Sequence, residues 1–228
     1  MSESGTRKLS GSEIQMYESI SWYQSHRAEK VVKALIRNRF HALFVPTREE
    51  ACREALALIP EGAAVGIGGS MTIGQIGIFP ILKGKGVKII NPFGRNVTPE
   101  SRRQVMREIF LSDVFLSSAN AITEDGKLLF LDATGNRVAA TIFGPDKVIL
   151  VCGVNKIMGD VHDAHKRVRY YVAPTNAKRL GYHNPCEAAG ECVDCESENR
   201  ICNAFVTLYK KPHQTDISVL LVGEELGI

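Results

Sequence analysis

Short apolar runs alternate with amphipathic stretches along most of this chain. Between residues 12 and 39 the apolar positions recur near helical spacing, which predicts one long helix. From residue 41 to residue 152, brief apolar runs alternate with helical patterns, and Thr47 and Thr98 stand where helices would begin. This alternation predicts an α/β fold with a mainly parallel sheet and helices on both of its faces.

Two pairs of strands are expected to lie antiparallel. Asp125-Gly126 separates two short apolar runs, which is a strong hairpin signal. Further along, residues 204–209 and 217–222 form two more apolar runs, joined by a loop that contains Pro212. We expect these last two runs to pair as a terminal antiparallel hairpin added to the main sheet.

A glycine-rich loop follows the strand that begins near Ala63. Gly68 and Gly69 end the strand, and Ser70 or Thr72 is placed to cap the next helix. Glycines let a ligand approach the backbone, and the N–H groups at a helix start attract anions. The loop is neither a Walker motif nor a complete dinucleotide fingerprint. It is therefore a candidate anion site, with a tight strand-to-helix turn as the structural alternative.

A second candidate loop opens the helix that follows Asp132. Gly135 and Asn136 lead directly into Arg137 and a small apolar run. A glycine, a possible helix cap and an arginine together could bind a phosphate or carboxylate, with Arg137 as a bidentate hydrogen-bond donor. The alternative is an ordinary helix start at which Arg137 forms an ion pair with Asp132.

Other polar side chains also stand where strands are predicted to end. Asn120 and Glu124 flank one short strand, and Lys156 follows the strand that ends near Gly153. Ligand sites of open α/β sheets lie at such strand ends, so Asn120 and Lys156 are expected to reach the same site. Turn formation is the competing explanation for Glu124 and the preferred one for Asp125.

Four of the six cysteines fall within a short, loop-like segment. Their spacing is Cys186-x5-Cys192-x2-Cys195-x6-Cys202. Such a loop has no core of its own, so bonds from thiolates to a metal would hold it together. Four thiolates fit either tetrahedral zinc or an iron–sulfur cluster, and the spacing matches neither common pattern closely. Four free thiols are the remaining alternative.

Composition narrows the class of protein. The 228 residues are 44% hydrophobic and 23% charged with a net charge of +3, as expected for one globular domain that does not bind nucleic acid. No apolar run is long enough for a membrane span, and residues 1–12 do not resemble a signal peptide. We therefore expect a cytoplasmic protein, in which clustered cysteines indicate metal or cofactor binding rather than disulfides.

Three stretches resemble the LUD (lactate utilization) domain family. They are ANAITEDGKLLFLDATGNRVAATIFGPDKVILVCGVNKI at residues 119–157, GIGGSMTIGQIG at residues 66–77 and PCEAAGECVDCESENRICN at residues 185–203. The resemblance covers roughly residue 11 onward and points to short, single-domain members with a cysteine-rich tail. It implies a fold similar to ribose-phosphate isomerase and the CoA transferases. We expect a flexible segment at residues 1–11 and a LUD domain at 12–228, with a metal-binding insertion at 183–203.

The resemblance also implies an activity. The expected function is oxidation of lactate, or a similar 2-hydroxy acid, together with other lactate-utilization subunits, and the cysteines would hold a [4Fe–4S] cluster. The alternatives are a non-redox enzyme of the isomerase or CoA-transferase type, or a small-anion sensor, with structural zinc. In the enzyme alternative, Glu124 or Asp132 would be catalytic and the ligand a sugar phosphate or acyl-CoA. A homo-oligomer is compatible with each of these functions.

Overall fold

The computed structural model describes residues 10–228. Its first helix, α1, begins at Gly11 and ends at Arg37, which confirms the predicted long helix. Ser10 caps it, because the Ser10 side chain accepts from the Glu13 backbone and the Glu13 carboxylate accepts from the Ser10 backbone. Residues 1–9 of the expected flexible segment lie outside the described residues, and the helix already begins within the rest of that segment.

The other elements alternate much as the sequence predicts. The remaining helices are α2 (Arg48–Ala57), α3 (Met71–Gln75), α4 (Ile78–Gly84), α5 (Pro99–Glu108), α6 (Asn136–Ile142), α7 (Val161–Arg167), α8 (Ala173–Leu180) and α9 (Pro185–Ala189). The strands are β1 (His41–Val45), β2 (Ala64–Ile67), β3 (Lys88–Ile90), β4 (Val114–Ser117), β5 (Ala121–Thr123), β6 (Leu128–Asp132), β7 (Lys147–Gly153), β8 (Ile157–Met158), β9 (Ala204–Leu208) and β10 (Asp216–Val222).

The main sheet has six parallel strands in the order β1-β10-β7-β4-β2-β3. Its central strands β7 and β10 are buried along nearly their whole length, as expected when helices cover both faces. One hydrophobic cluster contains Phe115 and Val148, and a second contains Leu116 and Ile149. Adjacent residues of β4 and β7 thus belong to different clusters, because side chains alternate between the faces of a sheet. The predicted α/β architecture is confirmed.

A smaller, mixed sheet packs beside the main one in the order β8-β5-β6-β9. The hairpin predicted at Asp125-Gly126 joins β5 to β6, with Ala121 opposite Leu129. Gly126 has φ +83°, and a Cβ there would stand 2.6 Å from the backbone carbon of Ala34. Only glycine satisfies both the turn and this close approach of α1.

The predicted terminal hairpin is wrong. β9 pairs antiparallel with β6 in the small sheet, whereas β10 lies between β1 and β7 in the main sheet. The almost continuous apolar run of β10 suits a central parallel strand buried on both faces. β9 is only half buried and suits the edge of the smaller sheet. The two strands are adjacent in the sequence, which suggested that they pair, but their different burial places them in different sheets.

A continuous helical stretch runs from Val161 to Leu180. A π-helical turn at Val168–Val172 joins α7 to α8 without a break. Pro174 near the start of α8 cannot donate a backbone hydrogen bond, and a wider turn just before it accommodates this loss. Across residues 10–228, no helix combines the length and apolar character needed to cross a bilayer.

Candidate functional site

A polar pocket, here called the anion pocket, opens at the carboxyl ends of β2, β4 and β7. Loops following these three parallel strands supply much of its lining, with further side chains from α6 and α8. This is the edge at which open α/β sheets place ligands. Six residues predicted from the sequence line it: Gly69, Ser70, Thr72, Asn120, Arg137 and Lys156.

The anion pocket is small and cationic. Its volume of about 80 Å³ is well below the roughly 300–1,000 Å³ of pockets for drug-sized ligands. Lys156, Arg137 and Arg179 line it, and no Asp or Glu of the described chain does so. The pocket therefore favours an anion of few heavy atoms.

Lys156 is the most unusual residue of the pocket. Its side chain is buried, and its amine donates to Ser118 Oγ at 2.9 Å, Thr72 Oγ1 at 3.1 Å and the Ala119 carbonyl at 3.3 Å. Within residues 10–228 it forms no ion pair with a carboxylate. Burial is the largest cause that lowers the pKa of Lys156 to about 8.

Arg137 both supports the fold and lines the pocket. Its guanidinium donates to Asp132 Oδ1 at 2.8 Å, Asn120 Oδ1 at 2.7 Å and the Leu131 carbonyl at 2.9 Å. Asp132 also accepts from the Val138 backbone at 2.9 Å and so caps the first turn of α6. The sequence left an ion pair with Asp132 and a ligand-binding role as alternatives for Arg137. The structure is compatible with both roles.

Five of the predicted residues lie outside this lining, and Asp132, described above, is one of them. Gly135, with φ +82°, and Asn136 form the start of α6. Gly68 packs under the pocket, where a Cβ would stand 2.7 Å from Ser117 Oγ. Glu124 lies at the β5–β6 turn, half exposed, and pairs with Arg27 at 2.7 Å. The structure therefore does not bring Glu124 into the anion pocket.

Several pocket residues were not predicted from the sequence. Ser118 follows β4 directly, while Asn176 and Arg179 project from α8. The Arg179 side chain donates to Asn176 Oδ1 at 2.7 and 3.0 Å and has no carboxylate partner in the described chain. Asn176 and Arg179 are three residues apart and therefore share one helical face, which was the available signal in the sequence. That signal points to the pocket only because tertiary folding places α8 over the sheet edge.

A second cavity, here called the cysteine cavity, is lined by Cys186, Cys192, Cys195 and Cys202. Arg200 holds the surrounding loop by donating to the Cys195 carbonyl at 2.7 Å and the Cys202 carbonyl at 3.3 Å. All four predicted ligands therefore face one space, although 16 positions separate the first from the last.

The thiols of the cysteine cavity influence one another. Burial raises the pKa of Cys186 and of Cys202, and neighbouring cysteines raise both further, while Arg200 opposes the change at Cys202. No three His, Cys, Asp or Glu side chains in the described chain are already arranged to hold a metal ion. The donor set fits a tetrathiolate centre, and metal binding would draw the thiols closer and release their protons.

One helical segment separates the two cavities. Val172, Asn176 and Arg179 line the anion pocket, whereas Ala173 and Pro174 line the cysteine cavity. The two cavities therefore share this segment as a common wall.

The fold and pocket define an α/β protein with a small cationic pocket at the carboxyl edge of a parallel sheet. Among solved structures, it is similar to a crystal structure of a DUF162 family protein from Deinococcus radiodurans, with a TM-score of 0.52 and 13% identity over 87% of this chain and 98% of that one. At this identity the likeness concerns the fold alone. Comparison with curated proteins gives no match.

The family itself follows from the sequence profile of the LUD domain. That profile matches residues 28–222, well over half of the chain. The protein belongs to the LUD domain family, which is associated with lactate utilization. The matched range begins within α1 and ends with β10, so it includes both sheets, the cysteine cavity and all of the anion-pocket lining except Gly227 and Ile228.

Proposed function

We propose that this protein is an iron–sulfur subunit that binds lactate or a similar 2-hydroxy acid and takes part in its oxidation to the 2-oxo acid. The observation that carries the proposal is the shared wall between the anion pocket and the cysteine cavity. A cationic pocket for a small carboxylate thereby lies beside four thiols that suit an electron-carrying group.

The residues of the pocket have separate tasks in this proposal. Arg137 and Arg179 bind the carboxylate through charge-assisted hydrogen bonds. Lys156, with Ser118 and Thr72, faces the oxygen atom on C2 and exchanges protons with it. The lowered pKa of Lys156, about 8, keeps both protonation states accessible near neutral pH.

The cysteines supply the redox part of the proposal. A [4Fe–4S] cluster bound to Cys186, Cys192, Cys195 and Cys202 would transfer single electrons. Oxidation of a 2-hydroxy acid removes two electrons and two protons. We therefore assign the two-electron acceptor to another lactate-utilization subunit, and this chain to substrate binding and electron transfer.

The metal test compares iron, sulfide and zinc in protein purified without oxygen. We expect iron and sulfide together with broad visible absorption that dithionite bleaches. The double variant Cys192→Ser/Cys195→Ser should lose them, whereas the control Cys52→Ala, distant from the cavity in sequence and buried in the main core, should keep them. Iron retained by the double variant, or absent from reconstituted wild-type protein, would contradict the proposal.

The ligand test measures binding of L-lactate, pyruvate and ribose 5-phosphate by calorimetry. We expect lactate and pyruvate to bind and Arg179→Gln to weaken them roughly 10–100-fold, the value of one hydrogen bond to a charged group. Exposed Arg103 lies outside the lining, so the control Arg103→Gln should bind normally. Binding of only the phosphate ester would contradict the lactate assignment.

A small-anion sensor with structural zinc is the second candidate function. Asn203 ties the cysteine loop to the small sheet, since its backbone donates to the Asp132 carbonyl at 3.1 Å and its side chain to the Ala133 carbonyl at 3.1 Å. A metal there would connect the loop to the residues beside Arg137. Stoichiometric zinc, no iron and anion binding without turnover would select this function. The isomerase alternative is weaker, because Glu124 lies outside the pocket.

A further inference from the structure

Lys156 places a buried amine where no Asp or Glu side chain of the described chain pairs with it. The amine is held only by two hydroxyls and one carbonyl, and only 4% of the residue is exposed. Burial of an ammonium group without a carboxylate costs free energy, since weak dipoles replace its hydration. A residue kept solely for stability would not be expected in this state, so its amine is a candidate for chemistry.

Neighbouring cations favour the neutral form of this amine. After burial, the next largest influence on the pKa of Lys156 is Cys152, which raises it, and Arg167 and Arg137 then lower it. Arg167 is held by the carbonyls of Asn120 at 3.4 Å and Asn155 at 3.3 Å, so its charge has a fixed position. A desolvated lysine beside other cations is an activated nucleophile, because the neutral amine carries the reactive lone pair.

The surroundings of the amine suit addition to a carbonyl group. Ser118 Oγ and Thr72 Oγ1 lie 2.9 and 3.1 Å from Nζ and can pass protons to and from it. Gly227, with φ +69°, approaches so closely that a Cβ there would stand 2.9 Å from Nζ and 2.5 Å from Thr72 Oγ1. Lys156 and Gly227 both line the anion pocket, and the low exposure of Lys156 shields its amine from bulk water.

We propose that Lys156 captures a small 2-oxo acid as a covalent imine in the anion pocket. The amine nitrogen attacks the ketone carbon, and protons pass through the Ser118 and Thr72 hydroxyls to the former carbonyl oxygen. That oxygen leaves as water, so a C=N bond replaces the C=O bond and no oxidant is required. The proposal rests on the proposed function only in taking a 2-hydroxy or 2-oxo carboxylate as the ligand.

The pocket selects the class of carbonyl compound. Arg137 and Arg179 hold a carboxylate, while Lys156 lines the same pocket of about 80 Å³. A carboxylate next to the ketone satisfies both requirements in one short molecule. Simple ketones lack the anion, and large acyl compounds exceed the space, so pyruvate-sized 2-oxo acids fit best.

The experiment traps the imine by reduction. Wild-type protein is incubated with pyruvate and cyanoborohydride at pH 8, digested and mapped by mass spectrometry. We expect one modified peptide, containing Lys156, with the mass of one pyruvate minus one water plus two hydrogens. Acetone, which lacks the carboxylate, should give little adduct under the same conditions.

Two variants serve as controls. Lys156→Arg keeps the positive charge and should lose the adduct, whereas Lys166→Arg removes an exposed lysine outside the pocket and should not change it. Wild-type protein with label spread over exposed lysines, or with no label on Lys156, overturns the proposal even if Lys156→Arg fails to fold. Melting curves of both variants identify a folding defect.

The pH dependence gives an independent readout. The charged and titratable groups on the neighbouring elements are Arg137, Asp132, Cys152, Arg167 and Arg179. Capture at Lys156 should level off above about pH 8, whereas ordinary lysines continue to gain reactivity towards about pH 10.4. Capture that keeps rising to that higher pH contradicts an activated amine.

The outcomes separate this inference from the proposed function. Labelled Lys156 in a protein without iron supports imine formation and rejects the redox assignment. An iron–sulfur protein that binds pyruvate without labelling Lys156 rejects the imine alone. Protein that neither binds nor is labelled by pyruvate rejects the ligand class on which both depend.

Discussion

Asp132 uses both carboxylate oxygens within the protein. Oδ1 accepts from Arg137, and Oδ2 accepts from the Val138 backbone at the start of α6. These contacts leave little capacity for proton transfer to a ligand, although Asp132 was a catalytic candidate from the sequence. Its position indicates that it orients Arg137, whose guanidinium reaches the pocket.

We expect Asp132→Asn to weaken pyruvate binding and to lower the free energy of unfolding by about 1–3 kcal/mol, the loss of charged hydrogen bonds. Calorimetry and urea denaturation measure the two effects. Exposed Asp146→Asn is the matched control. Unchanged affinity with lost turnover would instead assign Asp132 to catalysis.

For Glu124, in contrast to Asp132, we expect substitution to leave anion binding unchanged. Its ion pair with Arg27 is partly exposed, and neither residue lines the anion pocket. Exposed ion pairs contribute about 0–1 kcal/mol. Glu124→Gln should therefore leave anion affinity unchanged and alter the unfolding midpoint only slightly in the same two assays. A large loss of affinity would show that the turn communicates with the pocket.

At the scale of elements, Arg200 organises the cysteine loop. It joins the backbone carbonyls of Cys195 and Cys202 and also contacts Asp194 at 2.8 Å. The loop has no helix or strand between Ala189 and Ala204 to order it otherwise. Arg200 thus supplies three side-chain hydrogen bonds to a segment that lacks regular backbone pairing.

We expect Arg200→Gln to retain less iron than wild-type protein after anaerobic purification and to release it faster to a chelator. The reason is that the thiols lose the loop geometry that preorganises them. Binding of pyruvate should persist, because Arg200 does not line the anion pocket. Iron retention equal to that of Arg103→Gln would show that the metal alone orders the loop.

At the scale of the whole molecule, the buried amine of Lys156 makes the stability of the fold depend on pH. Its pKa in the fold is about 8, compared with an ordinary value of 10.5. Charging this amine in the fold therefore costs about 3 kcal/mol relative to the unfolded chain. Because the unfolded chain binds the proton more tightly, this contribution raises stability as pH increases from about 8 to 10.5.

We expect Lys156→Met to be more stable than wild type by about 1–2 kcal/mol at pH 7, since lost hydrogen bonds offset part of the gain. The difference should close towards pH 10.5, which urea denaturation under reducing conditions can follow. Exposed Lys166→Met should show no such trend. A destabilised Lys156→Met at pH 7 would mean that the ammonium supports the fold.

The sequence alone determined much of the fold. Apolar periodicity gave the long helix α1 and the parallel α/β arrangement, and Asp125-Gly126 gave a real hairpin. These features depend on local conformational preference and on which face of an element is buried. Both properties are determined by residues close together in the sequence, so the spacing of apolar and turn residues is sufficient to predict them.

Tertiary structure decided which distant residues meet. The partners of β9 and β10, the place of Arg179 over the pocket and the isolation of Glu124 all depend on contacts far apart in the chain. The same holds for the environment of Lys156, since Thr72, Ser118 and Arg167 come from separate elements. Sequence spacing identifies a lysine at a strand end. Only tertiary packing buries its amine away from water and from carboxylates, and that burial lowers its pKa.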